Sequence, residues 1–473
     1  MAWGGSSLKG FLTAPRGVRI TIVAIVILSL AIRLVWVFGV QRPGDAVYSD
    51  MLGYMLRAQA LIAGDQNMDD EYNVCYPYGT HYLYALESLV FGDSNYEAMG
   101  AAAAILSASV TLFLMLAALR CFSTVWPAYA LGLVSALWYP QVSYAGFLTS
   151  ETPYMFFLFL SLWLWIRLAQ TGKGGGWAGL ATALGFTIRP QLVMTALMGV
   201  AWMMVRKRDL DWFRWRTLAV VLLPALVVIG YSAYRHQDYT GHLALISDND
   251  AVGRFFASTK YKRILAARTR PDGTVMKRSD GTDVTRKFQP PATRQLGYTR
   301  EFTFTGYIAD AKQLGAERAR YQSTLSLAEK LGLLRRNIAL VAFMNTMWPE
   351  RNHAKEGTWR GSVFDLWAWL VKYMLLPLSF LGLLSLAFRR NLALELASLH
   401  IATMVYSAAV YFAEIRYRVP YDLILVLFAV QAIVVGFRLE PRGAPQDRWM
   451  KILISAVLGL FAVLVLVPWG PMP

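Results

Sequence analysis

Two carboxylates, Asp45 and Asp50, follow the first long apolar stretch of the chain. A carboxylate within hydrogen-bond reach of a hydroxyl group can take its proton while that oxygen attacks an electrophilic carbon. The alternative interpretation is that Ser49 and Asp50 cap the following helix, and that Asp45 ends the preceding turn. We favour a chemical role for Asp50, with Asp45 as second candidate, because an acid facing a cavity near a membrane is costly unless it has a function.

A second set of candidates can hold a phosphate. Arg416 and Arg418 lie two residues apart, with Glu414 beside them as a positioning partner. Their forked guanidinium groups match the oxygens of a phosphate; the alternative is that both only reach lipid headgroups from a helix end. Arg189 interrupts an apolar hairpin, which predicts a buried contact to Glu151 or to a phosphate.

Membrane helices must position these residues. Of the 473 residues, 56% are hydrophobic and only 16% are charged, whereas a soluble protein has about a quarter charged residues. The chain is therefore an integral membrane protein, and about twenty apolar residues are needed for each crossing. The eleven predicted spans are 18–40, 97–119, 124–142, 150–168, 176–188, 190–205, 217–234, 364–388, 391–412, 418–437 and 450–469.

Basic clusters between the spans predict the orientation. Cytoplasmic loops are enriched in Lys and Arg, so the amino terminus and the breaks at Arg120, Arg206 and Arg389 are predicted to be cytoplasmic. The residues that then fall together on the outer side are Asp45, Asp50, Glu151, Arg189, Glu350, Glu414, Arg416 and Arg418. The same bias explains much of the net charge of +16, and no nucleic-acid partner is expected.

The chain divides into three predicted regions. They are a transmembrane module 1–234 with a first outer loop 41–96, an extracytoplasmic small domain 235–360, and C-terminal helices 361–473. Apolar residues at helical spacing from Asp50 to Ala63 are typical of a helix on the membrane surface. The polar, basic stretch 260–294 contains two Asp-Gly pairs, which indicates hairpin turns or a mobile loop, and 306–335 returns to a helical pattern.

The cysteines and histidines give no metal-binding pattern. Cys75 and Cys121 lie on opposite sides of the predicted membrane, which forbids a disulfide between them. The five histidines have no zinc-ligand spacing either. No metal site is predicted.

Several motifs occur in the order found in one enzyme superfamily. The stretch from Asp50 to Gly64 resembles the D-x₃-Y-x₃-A-x₂-L-x₂-G opening of the GT-C fold glycosyltransferases. The further matches are Tyr76–Gly79 ending at Phe91-Gly92, Ser150-Glu151, Ile188–Gln191, a degraded Ala244–Gly253, and Glu414–Pro420 with its R-[FY]-R-x-P pattern. The resemblance is closest to the bacterial polyprenyl-phosphate-sugar branch, which includes mannosyltransferases and aminoarabinose-transferase-like proteins.

The resemblance implies an all-α polytopic enzyme with Asp50 as catalytic base. No cofactor or divalent metal is expected, because guanidinium groups alone can neutralise a monophosphate. The donor would be a sugar on a polyprenyl phosphate, and the acceptor a glycan, lipid or protein at the outer face of a bacterial inner membrane. The residues implied to contact the donor phosphate are Arg416, Arg418, Arg189, Arg57 and Lys260. The residues implied to line the substrate cavity are Tyr54, Tyr76, His81, Glu151 and Glu414.

Each of these assignments has an alternative. Arg57 and Lys260 can serve lipid headgroups in general, and Tyr54 can belong to an interfacial aromatic belt. For the whole chain, the alternatives are a transporter or flippase for a lipid-linked saccharide and a non-catalytic assembly subunit. A transporter should show paired half-sequences and charges near the middle of several spans, and the sequence shows neither.

Overall fold

A computed structural model of the chain describes residues 14–64, 75–240, 243–269, 274–343, 347–412 and 414–437. Within these ranges the protein is a helical assembly with one small sheet. The α-helices are α1 (Arg16–Val35), α2 (Asp50–Ala63), α3 (Gly79–Phe91), α4 (Tyr96–Cys121), α5 (Trp126–Leu137), α6 (Tyr139–Tyr144), α7 (Glu151–Thr171), α8 (Gly175–Ile188), α9 (Gln191–Val205), α10 (Trp215–Thr240), α11 (Asn249–Ala257), α12 (Pro291–Gln295), α13 (Ala311–Ser323), α14 (Leu327–Phe343), α15 (Glu350–His353), α16 (Trp359–Leu370), α17 (Leu376–Ser385), α18 (Leu392–Val410), α19 (Ile415–Arg418) and α20 (Asp422–Gly436). The strands are β1 (Tyr261–Ala267), β2 (Thr285–Phe288) and β3 (Arg300–Thr305).

Seven helical segments in the described ranges are long and apolar enough to cross a membrane. They are Arg16–Val40, Tyr96–Cys121, Glu151–Thr171, Trp215–Asp238, Trp359–Ser385, Leu392–Val410 and Ile415–Gly436. Two further apolar helices, α5 and α9, are shorter. The predicted all-α polytopic architecture is confirmed. The count of eleven stays a prediction, and its last span, 450–469, lies outside the described residues.

The sequence predicted one continuous span over 124–142, but the structure divides this segment into two helices. It is divided at Trp138 into α5 and α6, and Pro140 lies in the first turn of α6. Proline has no backbone N–H, so Pro140 cannot bond to the Ala136 carbonyl, and its ring would clash with that carbonyl in a continuous helix. The break turns the chain, and the Tyr139 hydroxyl donates a hydrogen bond to Glu350.

Close contact between α17 and α20 depends on a small residue. A Cβ atom at Gly382 would lie 1.8 Å from the carbonyl oxygen of Phe428, so only glycine permits this approach. Ser379 donates a hydrogen bond to the Leu425 carbonyl at 2.8 Å across the same interface. Small residues and interhelical hydrogen bonds are the usual means by which membrane helices pack.

The segment 41–96, predicted as the first outer loop, contains the predicted amphipathic helix. Helix α2 buries Met51, Tyr54, Met55 and Ala58 on one face and packs against α3. The opposite face leaves Leu56 exposed. This packing fixes Asp50, the first residue of α2, at the edge of the helical assembly.

The basic insert folds around a sheet with the strand order β2-β1-β3. Strand β1 is antiparallel to β2 and parallel to β3, with Ile264 opposite both Phe288 and Phe302. The predicted hairpin turn at Asp280-Gly281 is present, with Asp280 accepting a hydrogen bond from the Thr282 N–H at 2.9 Å. The other Asp-Gly pair lies outside the described residues. Helices α13 and α14 confirm the predicted return to helix.

Candidate functional site

A cavity of about 1540 Å³ opens between the first outer loop, the insert and the start of the last described span. The predicted site residues on its wall are Asp50, Tyr54, Arg57, Tyr76, Glu414 and Arg416. They come from chain positions up to 366 residues apart. The fold therefore brings Asp50, Glu414 and Arg416, predicted from distant parts of the sequence, to one place.

Asp50 follows a residue whose backbone conformation favours glycine. Ser49, just before it, has φ 52° and ψ −123°, a conformation that costs a non-glycine residue about 1–3 kcal/mol. The Ser49 side chain makes no capping hydrogen bond to α2. Instead, Asp50 Oδ2 accepts a hydrogen bond from Arg416 Nη1 at 3.2 Å. The Asp50 side chain remains 32% exposed, so its carboxylate is accessible from the cavity.

Two aromatic rings hold the Arg416 guanidinium in place. Its central carbon lies 5.2 Å from the ring centre of Trp348 and 5.3 Å from that of Tyr417. Such cation–π contacts orient an arginine and leave its N–H groups available. Arg416 Nε has no hydrogen-bond partner among the described residues. The side chain is 18% exposed and lines the cavity, so the guanidinium can also contact a ligand there.

Arg418 lies elsewhere, although it is only two residues away. It is 1% exposed, and its guanidinium bonds to Asp422 Oδ1 at 2.8 Å and to the carbonyls of Val341 and Ala342 at 3.0 and 2.7 Å. In the described part of the chain, Arg418 does not contribute to the cavity wall. Because its hydrogen-bonding groups are used inside the protein, we do not retain it as a phosphate contact.

Arg189 and Glu151 form a buried ion pair behind the cavity wall. Arg189 also donates hydrogen bonds to the Ser150 hydroxyl at 3.1 and 3.2 Å. Its guanidinium lies 5.3 Å from the ring centre of Tyr417, the ring that also contacts Arg416. The predicted contact to Glu151 is present, and the pair supports the Tyr417 ring from behind. Neither residue lines the cavity in the described ranges.

Arg57 projects a second cation towards the cavity. The residue is 6% exposed and lies over the rings of Tyr54 and Tyr76, 5.1 and 5.2 Å from their centres. Its Nε has no hydrogen-bond partner among the described residues, and no carboxylate there pairs with it. A nearly buried cation without a counterion favours an anionic ligand.

Three predicted site residues lie away from the cavity wall of the described structure. Asp45 is exposed in a short 3₁₀ turn, Pro43–Ala46. Lys260 is exposed before β1. His81 is buried in α3, where burial and the nearby Arg57 and Arg235 hold the pKa of its imidazole well below the usual value. The structure gives none of these three side chains a place at the cavity.

Sequence analysis missed Trp348 as a site residue. It precedes the short helix α15 and contacts Arg416 through its ring. Its chain neighbours carry no motif that we had linked to the site. Gln289, Lys287 and Arg294 were likewise missed, because the basic insert has no counterpart in the family pattern.

Glu414 places a second carboxyl group at the cavity. Its Oε1 accepts a hydrogen bond from the Ala292 N–H at 3.0 Å, and its Oε2 has no hydrogen-bond partner among the described residues. Burial raises the pKa of Glu414 to about 7, an effect that the nearby Arg416 opposes and Asp50 reinforces. Below that pH the protonated Oε2 can donate a hydrogen bond to a ligand.

The free energy of unfolding should therefore fall as pH rises from about 4.5 to 7. The folded protein keeps the Glu414 proton across this window, whereas the unfolded chain loses it near the usual pKa. This difference between the folded and unfolded pKa values corresponds to about 3 kcal/mol. Glu414→Gln cannot titrate, so the variant should lose less stability between pH 5 and 7.5 than wild type. Thermal unfolding in detergent measures this difference, with Glu356→Gln as the exposed control. Equal losses in all three proteins would contradict the assignment.

The described residues contain no cluster of three or more His, Cys, Asp or Glu side chains suited to a metal ion. That no divalent ion is required stays a prediction. A chelator applied to the active protein tests it directly.

About a third of the chain, within its N-terminal half, matches a known family. Residues 76–232 match the model of the family described as dolichyl-phosphate-mannose-protein mannosyltransferase. The predicted resemblance to GT-C glycosyltransferases is confirmed. The matched region contains Glu151 and Arg189, while Asp50 and Arg416 lie on either side of it. No curated protein matches the chain.

A solved structure is also similar to this chain. It is the archaeal oligosaccharyltransferase AglB from Archaeoglobus fulgidus, in complex with an inhibitory peptide and a dolichol-phosphate. The identity is 12% and the TM-score 0.45, over 95% of this chain and 54% of that protein. The chain thus spans about half the length of that protein.

Proposed function

We propose that this protein is an inverting glycosyltransferase that takes a sugar from a polyprenyl-phosphate carrier. The observation that carries the proposal is the pairing of Asp50 with Arg416 on the wall of the cavity, at 3.2 Å. A base for the acceptor and a cation for the donor phosphate stand side by side there. The family matched by residues 76–232 is described by a lipid-phosphate sugar donor of the same chemical class.

In the proposed reaction, an acceptor hydroxyl attacks the anomeric carbon of the donor sugar. Asp50 takes the hydroxyl proton, the new bond forms between the acceptor oxygen and the anomeric carbon, and the carbon–oxygen bond to phosphate breaks. The polyprenyl phosphate leaves with the bonding electrons and needs no acid, since a phosphate monoester has a second pKa near 6. Arg416 and Arg57 stabilise its charge.

The dimensions of the cavity support a reaction between two substrates. Pockets for single small ligands measure about 300–1,000 Å³, whereas this cavity has about 1540 Å³. That volume accommodates a donor headgroup together with the acceptor end that it meets. Exposed apolar residues of the neighbouring α2, such as Leu52 and Leu56, line the same cavity, and suit a lipid chain.

Purified protein tests the proposal most directly. Incubated with synthetic polyprenyl-phosphate sugars and a crude glycan acceptor fraction, it should release polyprenyl phosphate and transfer the sugar with inverted anomeric configuration. Translocation of an intact lipid-linked sugar across proteoliposomes, without cleavage, would instead identify a flippase. Mass spectrometry of cell-envelope glycans with and without the gene then identifies the acceptor.

We further propose that the site faces the extracytoplasmic side of a bacterial inner membrane, with the amino terminus in the cytoplasm. Cysteines introduced at Ser279 and Glu356, both exposed, should react with a membrane-impermeant thiol reagent in spheroplasts. A cysteine at Lys173, also exposed, should react only after lysis. The native Cys75 and Cys121 are buried, so wild type serves as the blank. Labelling of Lys173→Cys in intact spheroplasts would reverse the orientation.

A further inference from the structure

A second groove, of about 400 Å³, lies on the surface of the basic insert. Its polar lining consists of Lys262, Arg263, Lys287, Gln289, Arg294 and Tyr298. Three of these residues, Lys287, Gln289 and Arg294, also line the main cavity. The groove therefore adjoins the cavity along a shared wall, and a ligand extended along the insert can reach the cavity from it.

The groove has an excess of positive charge. Arg263 pairs with Glu301 at 2.5 Å, but Lys287 and Arg294 form no ion pair with a carboxylate in the described ranges. No Asp or Glu contributes to the groove lining in that part of the chain. Residues 258–300 contain eleven Lys and Arg against three Asp. Such a field attracts anions and raises their local concentration.

The shared wall is fixed to the centre of the site. The Ala292 N–H donates a hydrogen bond to Glu414, two residues before Arg416. Thr293 donates a hydrogen bond to the Lys262 carbonyl at 2.8 Å, which joins the same wall to β1. Because these bonds hold α12 between the groove and the cavity, the groove leads to the side of the cavity that contains Arg416 and Asp50.

The insert surface favours a water-soluble ligand over a membrane. In the described residues between Leu245 and Leu327, no large hydrophobic side chain is exposed. A segment that lies on a bilayer buries an apolar face in it, and this segment presents none. Gln289 Nε2 is buried in the shared wall without a hydrogen-bond partner among the described residues, and can donate to a ligand oxygen.

We propose that this groove binds the acceptor, and that the acceptor is an anionic glycan bearing carboxylate or phosphate groups along its chain. The proposal rests on the proposed function, because it assigns the groove to the second substrate of the same cavity. Lys287 and Arg294 attract the charged sugars, and the shared wall directs a terminal hydroxyl towards Asp50. Charge along the chain, and not one particular terminal sugar, is the recognised feature.

The test uses the full-length protein in detergent and a fluorescent oligogalacturonate of about ten sugars as probe. Fluorescence anisotropy should show binding that weakens as salt increases.

The variant Lys287→Glu/Arg294→Glu should bind at least about tenfold more weakly, since electrostatic attraction becomes repulsion. The control Lys312→Glu/Lys330→Glu makes the same charge change on exposed residues of α13 and α14, outside the groove, and should stay within about twofold. Uncharged maltodextrin should not bind. The milder Lys287→Gln/Arg294→Gln should fall between wild type and the first variant.

Four results would overturn the proposal. The first is equal affinity of the groove variant and the control. The second is no binding by wild type. The third is tighter binding of a poly-glutamate peptide of the same charge, which would assign the groove to acidic proteins. The fourth is groove-dependent binding of vesicles that contain anionic lipid, without binding of the glycan. The binding assay contains no donor, so its result does not depend on sugar transfer. Binding of the glycan here, with no transfer in the separate activity assay, would refute only the proposed function.

Discussion

Replacing Asp50 by Asn is expected to lower turnover by about a hundredfold or more while donor binding survives. Asparagine keeps the shape of the side chain and can still accept a hydrogen bond from Arg416, which lies 3.2 Å away in wild type, but it cannot take a proton. Loss of a general base has about this cost. The measurement is sugar transfer from a synthetic polyprenyl-phosphate donor, with donor affinity determined separately on the same purified variant.

Asp45→Asn is the matched control for this experiment. Asp45 is exposed in the preceding 3₁₀ turn, so its variant should retain most of its activity. A purely structural role for Asp50 predicts a different pattern, because Asn begins a helix as well as Asp does. Turnover of Asp50→Asn close to that of wild type would remove Asp50 as the base, and with it the central step of the proposed mechanism.

Replacing Arg416 by Ala should affect donor binding, whereas replacing Arg418 by Ala should affect the stability of the protein. Arg416→Ala is expected to weaken donor binding about 10- to 100-fold, because charge-assisted hydrogen bonds contribute about 1.5–3 kcal/mol each. Arg416→Lys should restore only part of the affinity, since a lysine lacks the planar fork. Donor affinity is measured with a fluorescent polyprenyl-phosphate sugar, and the folding of each variant by its thermal midpoint.

Arg418→Ala should instead destabilise the protein by about 3–5 kcal/mol, the cost of removing one partner from a buried ion pair. It would leave Asp422 without its partner at 2.8 Å and free two carbonyl groups of α14. The variant should show a lowered thermal midpoint, and the fraction that remains folded should bind donor normally. Weak donor binding by well-folded Arg418→Ala would return Arg418 to the site. Unchanged binding by Arg416→Ala would reduce Arg416 to a support for Asp50.

The sequence by itself determined the class of protein and much of its local structure. Apolar runs of about twenty residues fix membrane helices because a bilayer forces the backbone to satisfy its own hydrogen bonds. The helical spacing from Asp50 to Ala63 predicted α2 correctly, and the interruption at Arg189 predicted its buried contact to Glu151. These features depend on residues that are close in sequence, or on the free-energy cost of placing an unpaired charge in the membrane.

Assembly of the cavity wall was decided only by the tertiary structure. Trp348 contacts Arg416, although the sequence around Trp348 has no hydrophobic periodicity from which this contact could be predicted. The parallel pairing of β1 with β3 places Ile264 opposite Phe302. Neither contact can be obtained from local spacing, because both depend on how distant segments pack.

The two arginines at 416 and 418 show the physical reason most clearly. In an extended strand, residues two apart point to the same side, and the motif then suggests two contacts to one phosphate. The segment is instead the short helix α19, from Ile415 to Arg418, where successive side chains turn by about 100°. Side chains two residues apart are therefore rotated by about 200°, which places them on nearly opposite sides of the helix. Arg416 faces the cavity, and Arg418 faces the protein interior. The sequence supplied both guanidinium groups, and the backbone conformation selected the one that reaches the site.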